Sequence, residues 1–202
     1  MLRVVNEFEQ SLVANMGSFN LDLPAETISR LGEYYSLLTR WNDRLHLVAP
    51  CSPEEFAVRH VLESLLLLQH LPLDARVADI GSGGGLPIIP CLIARPDLQA
   101  TLIESSQKKS VFLREASRSL QATIIAQRFE QVAPLPVDFV TCRALDQFTQ
   151  MLTALFDWAP QGSKLLLFGG EKLREELRKV NVNFEALLIP QSEKRFLFLA
   201  TD

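Results

Sequence analysis

The sequence predicts an α/β protein: a mostly parallel, seven-stranded sheet closed by a C-terminal antiparallel hairpin, with an N-terminal helical extension. The helical extension is expected over 1–70 and the sheet domain over 71–202. Three observations carry this. The first seventy residues repeat apolar side chains at helical spacing. From Arg76 onward, short β-type runs alternate with helical stretches, the order that builds a parallel sheet. At the first strand-to-helix junction stands Asp79-Ile80-Gly81-Ser82-Gly83-Gly84-Gly85.

Val5, Phe8, Leu12 and Met16 define the first helix, and Ile28, Leu31, Tyr35, Leu38, Trp41 and Leu45 the second. Pro24 stands where the second begins, a position that tolerates its missing N–H. Ser52-Pro53-Glu54-Glu55 reads as the start of a third, with Ser52 as N-cap and Glu55 completing a capping box, and that helix runs on to Leu68. Strands follow over 77–80, 100–104, 123–126, 137–141 and 164–168, separated by helices that open after the glycines and cover about 106–120 and 146–158. A short helix over 171–180 precedes two closing strands, 183–189 and 195–200, joined by Pro190-Gln191-Ser192-Glu193-Lys194.

With 48% hydrophobic residues in 202, the chain has ample material for a core. Its longest apolar runs, such as 65–68 and 165–168, are far too short to span a bilayer, and the first ten residues lack signal-peptide architecture. Cys51, Cys91 and Cys142 are remote from one another and odd in number. They have no metal-ligand spacing and read as reduced thiols of a cytoplasmic protein. The net charge of −4 argues against indiscriminate phosphate binding. Basic residues nonetheless cluster on one predicted helix, as Lys108, Lys109, Arg114 and Arg118, and on another, as Lys172, Arg174, Arg178 and Lys179. The second cluster is interleaved with Glu171, Glu175 and Glu176 and reads as a solvated face.

The glycine series turns the chain sharply off a strand and lets a ligand lie against bare backbone. It is not the dinucleotide fingerprint, because the sixth position is Leu86, and it lacks the Lys-Ser/Thr of a phosphate loop. Asp79 before the loop repels a pyrophosphate and suits a cationic, amine-bearing ligand, a description that S-adenosylmethionine fits. Gly83 and Gly85 are expected to leave room for that ligand, so that a Cβ at either would displace it. In an open parallel sheet the ligand lies at the carboxyl ends of the strands, here Asp79 to Gly85, Glu104, Phe129-Glu130 and Cys142-Arg143. Glu104, about twenty residues past the loop, is placed to hold ribose hydroxyls.

Trp41-Asn42, Val58-Arg59-His60-Val61-Leu62-Glu63-Ser64, Asp79 to Pro87, Ala94-Arg95-Pro96, Lys109-Ser110-Val111-Phe112-Leu113-Arg114 and Arg143-Ala144 occur in that order. In this the chain resembles the glucose-inhibited division protein B family, whose members methylate N7 of a guanine in bacterial 16S ribosomal RNA with S-adenosylmethionine. The resemblance runs from about Thr27 to the last strand. It implies a Rossmann-like class I methyltransferase fold, 16S ribosomal RNA as partner, free or within the small subunit, and a monomer without metal. It also implies that Gly81 and Leu86 line the methionine and adenosine portion of the site, that Asp79, Gly83 and Gly85 shape the loop, and that Phe129-Glu130 contacts adenine through its backbone. Arg143 stands at the family's cofactor-contacting arginine, and Arg59, His60 and Ser64 at the helix beside the pocket. Arg143, His60 and Arg59 are thus the candidate catalytic side chains. The competing readings are a packing role for His60 and, for Arg143, a structural ion pair with Asp79 or Glu130.

Guanine N7 carries a lone pair and no proton, so its methylation needs no general base, only orientation and preset dipoles. The chain departs from the family at His46-Leu47-Val48, at Ile88 in place of a glycine, and at Phe168-Gly169-Gly170 in place of a lysine-bearing turn. A catalytically silent ribosome-associated protein and a small-molecule methyltransferase are the alternatives.

Overall fold

The computed structural model describes residues 2–143 and 151–201, with the side chains of 2 and 3 excluded. Helix α1 spans Leu2–Asn15 and α2 spans Ala25–Leu45, with Pro24 as the N-cap of α2. Phe8 and Leu12 of α1 and Leu31, Tyr35 and Leu38 of α2 lie on the buried stripes that their spacing predicts. The third helix is not uniform. It begins as α3, Pro53–Phe56, capped by the Ser52 hydroxyl accepting from the Glu55 amide at 3.1 Å. It then widens into a π-helical turn over Ala57–Leu62 before resuming as α4, Glu63–Leu65, and closing in a 3₁₀ turn, Leu66–Gln69. Glu55 does not reach back to complete a capping box; its carboxylate pairs with Arg59.

The strands are β1 Arg76–Ile80, β2 Gln99–Ile103, β3 Ala122–Ile125, β4 Phe139–Cys142, β5 Lys164–Gly169, β6 Asn183–Leu188 and β7 Phe196–Thr201. They form one sheet in the order β3-β2-β1-β4-β5-β7-β6. The first five are parallel; β7 pairs antiparallel with both β5 and β6. Between the strands run α5 Ile88–Ala94, α6 Gln107–Ala116, α7 Leu152–Trp158 and α8 Glu171–Lys179. The helix expected over 146–158 is seen from Leu152, with Met151 as its N-cap; residues 146–150, and Ala144 of the Arg-Ala pair, lie outside the described residues.

Both faces of the sheet are covered, so its central strands are apolar on both sides rather than alternating with polar residues. Leu166 and Phe168 of β5 join the core beneath α2, α4, α5 and α6, whereas Leu165 and Leu167 face α7 and α8. The helical N-terminal part shares a single apolar cluster with the sheet, running from Phe8 through Leu38 and Leu65 to Val77, Leu102 and Leu166. Strand order reverses between β1 and its neighbours β2 and β4. That reversal opens a crevice at the carboxyl ends of these strands.

Candidate active site

The glycine loop leaves β1 into this crevice. Gly81, Gly83 and Gly85 hold φ of +69°, +53° and +82°, a region open to glycine and strained for other residues. Three outside groups hold this nearly side-chain-free loop. The Ile103 carbonyl of β2 accepts from the Gly81 amide at 2.8 Å, the Glu104 carboxylate accepts from the Gly83 amide at 2.9 Å, and the Tyr34 hydroxyl of α2 donates to the Gly84 carbonyl at 2.6 Å. The other oxygen of Glu104 accepts from the Ser106 amide at 2.8 Å, at the start of α6, where the helix dipole favours an anion. Each Glu104 oxygen thus retains a lone pair for a ligand hydroxyl.

Gly81, Gly83, Glu104, Phe129, Glu130 and Arg143 line a cleft of about 390 Å³, a size suited to a nucleoside-bearing ligand. Lys109 and Arg128 line it as well. A Cβ at Gly81 would meet nothing within 4 Å, so the bare backbone faces open space there. Asp79 lies beneath the loop, fully buried, with both carboxylate oxygens lacking a hydrogen-bond partner among the described residues. Burial holds its carboxyl well above the usual range. Asp79 does not line the cleft, so its carboxylate has no direct contact with the space where the cationic, amine-bearing group is expected.

The second part of the site is an arginine–carboxylate cluster between the π-helical turn and the end of β4. Arg143 donates to the Arg59 carbonyl and to the Glu63 carboxylate at 3.2 Å, and its guanidinium lies 5.6 Å from the centre of the Phe168 ring. Glu63 is 1% exposed and also receives Nε and Nη2 of Arg195, at 2.9 and 2.7 Å, from the turn before β7. The partner of Arg143 is therefore Glu63, not Asp79 or Glu130; Glu130 pairs with Arg128 at 3.3 Å. His60 packs on Phe56 with its Nδ1 buried and without a hydrogen-bond partner among the described residues. Burial, reinforced by Arg143, Arg59 and Arg195, pushes its pKa down to about 3, so the imidazole is neutral at physiological pH.

The comparisons fit this architecture. A family model described as rRNA small subunit methyltransferase G matches residues 27–199. The chain belongs to this family. A ribosomal RNA small subunit methyltransferase G of Methylobacillus flagellatus is 34% identical over 200 residues, covering 95% of this chain and 97% of that protein. One from Xanthomonas campestris pv. campestris is 39% identical, covering 77% and 74%. Among solved structures, magnesium protoporphyrin IX methyltransferase from Synechocystis PCC 6803, solved with bound SAM, superposes with a TM-score of 0.59 at 18% identity, covering 90% of this chain and 99% of that one. A SAM-dependent methyltransferase from Aquifex aeolicus gives 0.59 at 12% identity, covering 83% and 98%. At such identities these two structures speak for the fold alone.

Several expected site residues stand back from the cleft. Leu86 is buried in the core cluster, and Arg59 is exposed and paired with Glu55. Gly85 shapes the loop for a reason other than ligand space: a Cβ there would fall 2.3 Å from the Ile89 side chain. At Gly83 the nearest atom to a Cβ would be the Gly81 carbonyl oxygen, at 3.7 Å. Two members of the arginine–carboxylate cluster, Glu63 and Arg195, carried no role in the sequence. The signal for Glu63 was a lone carboxylate inside Val61-Leu62-Glu63-Ser64-Leu65, which must be paired if that face is buried. Arg195, in a distant turn, offered no comparable sign.

Proposed function

We propose that this chain methylates N7 of a guanine in 16S ribosomal RNA, acting as a monomer in the cytoplasm. The family match over residues 27–199 carries this reading, and the cleft at the reversal of strand order supports it. S-adenosylmethionine, when bound, supplies an electrophilic methyl group on a sulfonium. Gly81 offers bare backbone to its methionine portion, Glu104 accepts from the ribose hydroxyls, and the 129–130 backbone borders the adenine. Arg143 is fixed by Glu63, the Arg59 carbonyl and Phe168, so its charge stays in place instead of following solvent. A neutral His60 is no obstacle, because guanine N7 has no proton to remove. The free, mutually remote cysteines suit a reducing compartment. No helix among the described residues is long and apolar enough to cross a membrane, and no group of potential metal ligands occurs among them.

RNA affinity rests on local charge, since the whole chain is acidic. Lys108, Arg114 and Arg118 are exposed along and just beyond α6, and Lys109 lines the cleft. The test is transfer of labelled methyl to small-subunit particles from cells lacking the enzyme, followed by mapping of the modified base. Label on a guanine N7, reduced by Lys108→Glu with Lys109→Glu and by added salt, is the expected result. Cofactor binding with no label in any RNA preparation overturns the reading.

A further inference from the structure

The glycine loop is clamped from the N-terminal helices, and the clamp is a single hydroxyl. Tyr34 of α2 is 4% exposed, and its hydroxyl donates to the Gly84 carbonyl at 2.6 Å across fifty residues of sequence. Burial raises its pKa, which keeps it a protonated donor. The peptide that carries this carbonyl is held at its other end too, because the Gly85 amide donates to the Ser82 carbonyl at 2.6 Å. A Cβ at Gly84 would lie 3.4 Å from Leu38 and 3.5 Å from Leu47, so α2 and the segment after it also close the loop from behind. Three successive glycines have no side chains of their own to fix a conformation, and glycine backbone moves readily between positive and negative φ. Without the hydroxyl, no hydrogen bond from α2 among the described residues would fix the orientation of the 84–85 peptide.

We propose that Tyr34 is a positioning residue for the cofactor, holding the glycine loop in its binding conformation before the ligand arrives. This rests on the assignment of the cleft to S-adenosylmethionine. A loop ordered in advance loses less freedom on binding, so removal of the clamp weakens affinity without altering any group that touches the ligand.

The test is Tyr34→Phe, which keeps the ring packed and removes only the donor. Calorimetry with S-adenosylhomocysteine is expected to show affinity lower by about ten-fold. In the ligand-free variant, amide hydrogen exchange at residues 83–85 is expected to accelerate while β1 and α2 stay protected. Tyr35→Phe is the control: that ring stacks on Phe8 with centroids 4.5 Å apart, away from the loop, and native affinity is expected. Native affinity and native loop exchange in Tyr34→Phe overturn the proposal, as does an equal loss in Tyr35→Phe. Should Tyr34→Phe fail to fold, amide exchange in the unaltered protein decides: protection of residues 83–85 before ligand is added is the expected result, and protection that develops only after ligand is added overturns the proposal. If the unaltered protein binds no S-adenosylhomocysteine, the cofactor assignment fails instead, and loop exchange still tests the clamp.

Discussion

Replacing Glu63 with glutamine keeps the shape of the side chain and removes the one anion that Arg143 and Arg195 share. Glu63 is 1% exposed, whereas the side chains of Arg143 and Arg195 are 19% and 33% exposed. Leaving a buried charge without its partner costs about 3–5 kcal/mol, and an exposed pair contributes about 1 kcal/mol or less. Most of the loss therefore falls on Arg143, since Arg195 can turn toward water. The expected destabilisation is about 3 kcal/mol, or about 6–12 °C in Tm for a chain of this size. Arg195→Ala alone is expected to cost only about 1 kcal/mol, because Glu63 keeps Arg143. The double variant should fall short of the sum by about 1 kcal/mol, as expected of groups in one network. Urea unfolding followed by fluorescence measures all three. A loss below about 1 kcal/mol for Glu63→Gln, or costs that simply add, would refute the claim that this carboxylate holds the two arginines together.

Gly85→Ala should destabilise the fold by about 2–3 kcal/mol, from positive φ and the collision with Ile89, while Gly81→Ala should fold with a loss of about 1 kcal/mol yet bind cofactor at least about ten-fold more weakly; urea unfolding and calorimetry separate the two effects. Glu104→Gln leaves one amide oxygen for two backbone donors and weakens the remaining acceptor, so S-adenosylhomocysteine affinity should drop about ten-fold; calorimetry showing native affinity would remove Glu104 from the site. His60 titrates near 6.5 when unfolded and near 3 when folded, so its contribution is intact above pH 6.5 and is lost as pH falls toward 3. That loss is about 2–4 kcal/mol after allowance for partial exposure, and His60→Phe should flatten this limb of stability against pH in thermal scans.

The sheet and its glycine loop were legible because their signals are local. Each strand and helix signal is confined to its own short segment, and the Asp79-to-Gly85 series and Glu104 lie within about thirty residues of each other, where the structure joins them. What escaped was chemistry made by contact across long separations. Arg195 meets Glu63 over a gap of 132 residues, and Tyr34 meets Gly84 over 50. No periodicity records such meetings. The π-helical turn at Ala57–Leu62 escaped for a related reason: its apolar spacing fits an α-helix, and the feature that sets it apart, the Arg59 carbonyl accepting from Arg143, is another long-range contact. Ile88, which stands where the family has a glycine, is completely buried in the core and does not line the cleft.

The position of β7 has a consequence for biosynthesis. Although made after the other six strands, it lies between β5 and β6 and supplies the ladder for both. A nascent chain emerges N-terminus first, at about 5–20 residues per second. The five parallel strands can therefore assemble while β6 has no neighbour and β5 has an open edge. Until β7 inserts, that edge is a template for pairing with another nascent chain, and Glu63 waits without Arg195. Closure of the sheet and completion of the arginine pair are thus one late event, so an elongation pause ahead of β7 would hold the chain in its most aggregation-prone state.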